Sequence, residues 1–168
     1  MSLHVVFKNR RHPLIEQQQF IRRCLLTYQI YLSRPSPTLP WQVQALVRCI
    51  HEQLFDETLT VTSLFAACGI RDKNISSRFA GHLGMCPKSY IIFHRLEVAK
   101  ELLPYEELAI TQIALGVGYT GSGAFSSAFK KHVGCTPTAF RKRRNGKNEE
   151  KNEVPIGLTR LSFRWKSA

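Results

Sequence analysis

Apolar residues recur at helical spacing along most of this chain. Leu14, Ile15, Phe20, Ile21, Leu25, Tyr28 and Leu32 form the first stripe and predict a helix over 13–33, with Pro13 near its start. Arg22 and Arg23 fall off that stripe. Pro35 and Pro37 then break the pattern, because proline lacks an amide donor and restricts the residue before it. Val43, Leu46, Val47, Ile50 and Leu54 are the apolar face of a second helix, about 40–55. Thr60 or Thr62 can cap a short helix holding Leu64 to Ala67, which stops at Gly69. The next helix, about 72–83, turns Ile75 and Phe79 inward at i and i+4. Gly84 closes it, and Pro87 suits the first turn of a new helix over 87–103. That helix carries apolar residues on more than one side and is roughly 25 Å long. Pro104 ends it.

The same pattern then returns. Thr111 can cap a short helix containing Ile113, Ala114 and Leu115, and Gly116 and Gly118 form a turn. A helix over 121–133 places Phe125 and Phe129 inward, as Ile75 and Phe79 are placed. The residues themselves repeat, because Ser76 to Tyr90 aligns with Ser126 to Phe140. Two copies indicate a duplicated module, since a solenoid needs at least about three. Each copy reads as helix, glycine-containing turn, helix: a helix-turn-helix. The expected fold is therefore all-α. Two helix-turn-helix subdomains (39–86 and 105–143) are joined by a linking helix (87–104), about seven helices in all. An N-terminal extension (1–38) adds one helix, and a basic, mobile tail (144–168) follows. Within that tail, Leu158 to Trp165 alternates apolar and polar like a short strand with no obvious partner.

The net charge of +12 is unevenly spread. Residues 1–38 hold six basic and one acidic residue, 39–140 nine and eight, and 141–168 nine and three. A basic chain points to a polyanionic partner, yet the duplicated region is nearly neutral and the positive field comes from its flanks. The five cysteines are odd in number and include no C-x-x-C pair, so separate reduced thiols are expected. No apolar run approaches the roughly 18 residues that span a bilayer. The N-terminus lacks the pattern of a secretory signal.

The double pattern resembles the DNA-binding domain of AraC/XylS-type transcriptional regulators. The second module carries most of the likeness, from Ile110 to Tyr119 and from Phe125 to Arg141, and the central stretch Arg95 to Leu103 matches as well. The resemblance covers about residues 40–143. It implies a sequence-specific transcription regulator of double-stranded DNA, cytoplasmic and nucleoid-associated, that inserts two recognition helices (about 72–83 and 121–133) into successive major grooves. Two such units on one DNA face read sites about 10 bp apart.

The outward faces of those helices supply the candidate base-reading residues: Arg71, Asp72, Lys73, Ser76 and Ser77 in the first, Thr120, Ser122, Gly123, Ser126 and Ser127 in the second. Ser77 and Ser127 stand where that family often places a base-contacting Arg. Direct readout is therefore expected to centre on Lys73 and Arg71, because Arg or Lys to guanine is the commonest specific contact. Lys130, Lys131, Arg141, Lys142, Arg143 and Arg144 are the candidate phosphate contacts.

No cofactor and no metal are expected. His82 and His132 occupy equivalent repeat positions, but no Cys or carboxylate lies near them at ligand spacing. Residues 1–38 are too few for an independent core, so no effector pocket is implied. Their helix is expected to pack in cis, with RNA polymerase or another protein as its alternative partner, and the chain to be a monomer rather than a dimer. Two rival functions fit less well. A DNA-repair protein with a reactive zinc-held cysteine needs clustered cysteines. An RNA-binding or protein-interaction module needs displayed aromatics, whereas most aromatics here fall on inward stripes. No Gly-rich phosphate loop, G-x-S-x-G or H-E-x-x-H suggests an enzyme.

Overall fold

The computed structural model describes residues 13–32 and 35–148. Eight α-helices and no strands occur among them: α1 (Pro13–Leu32), α2 (Trp41–Gln53), α3 (Val61–Ala67), α4 (Ile75–Leu83), α5 (Pro87–Leu102), α6 (Ile110–Gly116), α7 (Ser122–Val133) and α8 (Pro137–Asn148). The all-α expectation holds. No helix among the described residues is long and apolar enough to cross a membrane.

The helices start and stop for local reasons. Thr60 caps α3 by accepting the Ser63 amide at 3.0 Å, and the Ser63 hydroxyl receives the Thr60 amide at 3.0 Å. Thr111 is the expected cap of α6, but the helix begins two residues earlier. Ala109 precedes it, and the Gln112 side chain accepts the Ala109 amide at 2.8 Å. Gln112 thus satisfies the Ala109 amide, while Ala109 has no side-chain oxygen to accept an amide of the first turn. Gly84 and Gly134 end α4 and α7 in the left-handed region, at φ +70° and +83°. Pro87 and Pro137 then open α5 and α8.

Three boundaries differ from expectation. α4 begins at Ile75, because Asp72 closes a turn in front of it: its carbonyl takes the Ile75 amide and its carboxylate the Asn74 amide. Gly116 ends α6 instead of forming the turn. α8 runs on through Asn145 and Gly146 to Asn148, where a mobile tail was expected. Asn145 is held there by Glu106 and the Pro104 carbonyl, a tertiary anchor invisible in local composition. The strand-like segment at 158–165 lies outside the described residues.

The core is continuous through both units. α5 lies at its centre, burying Tyr90, Ile91, His94, Arg95, Leu96, Val98, Ala99 and Leu102. Phe79 and Phe129 are fully buried at equivalent places, packing edge-on against Tyr90 and Phe140 respectively. α1 packs on α2, α5 and α6, so it folds back on the rest of the chain. The cysteine expectation needs correction. Cys49 on α2 and Cys68 at the end of α3 are joined as a disulfide, with Cα atoms 6.7 Å apart, while Cys24, Cys86 and Cys135 are free. The pairing follows from α2 packing on α3, which no sequence spacing announces.

Candidate nucleic-acid interface

Each unit presents one helix whose inner face is anchored and whose outer face is open. In α4, Ile75 and Phe79 are buried while Ser77 and Arg78 are exposed. In α7, Phe125 and Phe129 are buried while Gly123, Ser127, Lys130 and Lys131 are exposed. The inner anchors sit at i and i+4, so the residue midway between them must point away from the core. Ser77 and Ser127 occupy that midpoint.

The remaining candidates sort by exposure and bonding. Arg71, Lys73 and Thr120 are exposed just ahead of the two helices. Ser76, Ser126 and Ser122 are half-buried on the flanks. Asp72 is committed elsewhere: one carboxylate oxygen takes the Asn74 amide at 2.8 Å and the other the Arg78 guanidinium at 2.9 Å. Those two bonds, the amide first, hold its carboxyl below the usual range. Asp72 therefore shapes the turn and steers Arg78. Sequence reasoning overlooked Arg78, although its place beside Ser77 on the open side of Phe79 was visible in the helical register.

The basic cluster after α7 also divides. Arg141 donates to the Leu103 carbonyl at 2.6 Å and the Leu108 carbonyl at 2.7 Å. Burial lowers its pKa from the usual arginine value. Its role in the structure is to tie α8 to the end of α5, not to extend into solvent. Lys142, Arg143 and Arg144 are exposed on α8, which packs on α7, the helix that carries the exposed Lys130 and Lys131. Arg143 reaches the Cys135 sulfur. His82 and His132 are exposed at matching positions, and no group of His, Cys, Asp or Glu that could hold a metal occurs among the described residues.

A buried arginine links the two units. Arg95, only 8% exposed, donates to the Leu54 carbonyl at 2.8 Å and the Asp56 carbonyl at 2.7 Å, beyond α2. It also donates to the Gly118 carbonyl at 2.6 Å, in the turn between α6 and α7. Its charge lies 5.8 Å from the Tyr119 ring centre. One side chain thus joins the first unit, the linking helix and the second turn. Gly118 must be glycine here: its φ is +88°, and a Cβ would come within 2.8 Å of Arg95 Cζ and 2.9 Å of the Phe55 carbonyl.

Two like units, a rigid connection between them and two open helix faces define a double helix-turn-helix domain. The helix-turn-helix domain family matches residues 64–143. The HTH-type transcriptional regulator AlkR of Acinetobacter baylyi is 36% identical over 84 residues, covering 50% of this chain and 28% of that one. A crystal structure of an AraC-type transcriptional regulator from Chromobacterium violaceum superposes with TM-score 0.50 at 26% identity, over 60% of this chain and 91% of that one. The DNA-binding domain of AdpA, solved with a target DNA, shares the fold with TM-score 0.56 at 21% identity, over 63% of this chain and 97% of that one. Over residues 64–143 the chain carries a helix-turn-helix domain similar to the DNA-binding domains of AraC-type regulators. It matches less than half the length of the curated relatives.

Proposed function

We propose that this protein is a sequence-specific transcription regulator that reads duplex DNA by placing α4 and α7 in successive major grooves. The observation that carries the reading is the matched pair of helix faces. Each is anchored by a buried phenylalanine, Phe79 or Phe129, and each is open at the opposite serine, Ser77 or Ser127. In this reading the units at 39–86 and 105–143 dock as bodies, and 87–104 is the spacer between them. Two recognition helices on one DNA face read sites about 10 bp apart.

Base reading falls to Arg71, Lys73 and Ser77, now with Arg78, in the first groove, and to Thr120, Gly123 and Ser127 in the second. Ser76, Ser122 and Ser126 border those contacts. Asp72 acts by holding Arg78. Lys130, Lys131, Lys142, Arg143 and Arg144 take phosphates, which position the protein and carry the salt dependence. The cationic residues concentrate base specificity in the first groove and phosphate affinity around the second. The protein works in this reading as a binding protein without catalytic residues, in the cytoplasm on the nucleoid, and as a monomer, since one chain already holds both reading helices.

Competition binding tests this directly. The purified chain is incubated with a labelled pool of random duplex DNA and challenged with unlabelled duplex or with RNA of equal length. Duplex DNA should displace the probe, and repeated selection should enrich a bipartite site. Preferential displacement by RNA would replace the reading with an RNA-binding one. Tight zinc in the purified protein, together with cysteine alkylation, would favour the repair reading.

A further inference from the structure

α1 contributes nothing to the open helix faces, yet it touches both units. Near its start, the Gln17 side chain donates to the Glu107 carbonyl at 2.8 Å and accepts from Gln112 at 2.9 Å. Phe20 packs edge-on against Tyr105, with ring centres 4.9 Å apart. Ile21 fills the space that any side chain at Gly116 would need, because a Cβ there would lie 2.7 Å from Ile21 Cγ2. These are contacts to the second unit. Toward its other end, Tyr28 meets His94 through a 2.8 Å hydrogen bond, and Gln29 donates to the His51 carbonyl at 2.9 Å. These reach the linking helix and the first unit.

We infer that α1 is a brace that fixes the spacing of the two DNA half-sites, with Gln17, Ile21 and Gly116 as positioning residues. The inference rests on the two-groove reading proposed above. Its geometry is that of a second strut. At about 1.5 Å per residue a 20-residue helix is roughly 30 Å long, close to one turn of DNA. α6 packs on α7 and α2 packs on α4, so holding α6 relative to α2 holds one reading helix relative to the other. α5 and the Arg95 bonds already resist a twist of one unit against the other. α1, attached to both, opposes that twist. Changing the half-site spacing by one base pair requires both a translation and a rotation of one unit. With α1 docked, that movement would pull Ile21 off Gly116 and Gln17 off Glu107.

The test is selection of bound sites from random duplex DNA, repeated with Gln17→Ala, Ile21→Ala and Gly116→Ala. The wild type should enrich two half-sites at a single separation. The variants should enrich the same half-site letters, but affinity for sites one base pair shorter or longer should rise about tenfold relative to the preferred spacing, the scale of one or two lost hydrogen bonds. A merely structural role would weaken all spacings alike. Gln17 lies on the half-buried rim, so its variant retains the core if Ile21→Ala unfolds. Unchanged spacing preference in folded Gln17→Ala and Gly116→Ala would overturn the brace alone. A wild type that enriches no sequence would instead overturn the DNA-reading function, and the brace with it.

Discussion

Arg95 donates to the Gly118 carbonyl at 2.6 Å, so the linking helix grips the turn that leads into the second reading helix. The same guanidinium holds Leu54 and Asp56 of the first unit. Burial lowers its pKa from the usual arginine value, and the ring of carbonyls keeps it solvated in place of water. Arg95→Ala would leave three carbonyls without their donor. We expect a loss on the order of 3 kcal/mol in urea unfolding. Arg95→Lys should recover little, because one ammonium does not span the three acceptors.

Gly118 and Gly84 both have positive φ, but only one is crowded. Gly118→Ala forces a methyl against Arg95 and the Phe55 carbonyl, while Gly84→Ala meets open space. The second change should cost about 1 kcal/mol, from backbone strain alone. The first should cost clearly more. Thermal unfolding of the two variants side by side reads the difference, and equal melting temperatures would contradict it.

The buried histidines make stability depend on pH. His51 on α2 bonds the Tyr90 hydroxyl at 2.9 Å, and His94 on α5 bonds the Tyr28 hydroxyl at 2.8 Å. Burial lowers their pKa values to about 4 and about 3. In the unfolded chain both titrate near 6.5. Their folded values are lower, so acid favours the unfolded state. Stability should be level above about pH 7 and decline as pH falls through 6.5 toward 4. His94→Gln should flatten that decline in a melting series from pH 5 to 8.

Lys73→Ala should weaken binding to a selected site by about 1–3 kcal/mol and relax preference at one base position. Asp72→Ala should produce a related defect without any DNA contact of its own, because it frees Arg78. Binding measured across single-base variants of the site separates these outcomes from a uniform, phosphate-type loss.

Arg141 and Arg144 should behave differently although they lie three residues apart. Arg144→Ala should reduce the salt slope of DNA binding by about 1. Arg141→Ala should leave that slope nearly unchanged and lower the unfolding midpoint, because two carbonyls of the α5–α6 connection lose their donor.

Much of this was readable from the chain. The apolar period of Val43, Leu46, Val47, Ile50 and Leu54 is strong enough to specify α2 alone. Gly84 and Pro87, echoed by Gly134 and Pro137, mark where helices stop and restart. The open faces at Ser77 and Ser127 follow from their phenylalanine neighbours. What was not readable involves partners distant in the chain. Asp72 and Arg141 have the composition of contact residues, and only their bonding shows them turned to structural use. Arg78 has Ala128 as its counterpart in the second unit, so the repeat does not mark it.

By itself, then, the sequence determined the helices, their duplication and the inward anchors of the two open helices, because periodicity and turn chemistry act over a few residues. The tertiary structure decided how the copies are joined. Arg95 reaches 41 residues back to Leu54 and 23 forward to Gly118, and Gln17 reaches 90 residues on to Glu107. Such contacts depend on how whole helices pack, and no local pattern encodes them.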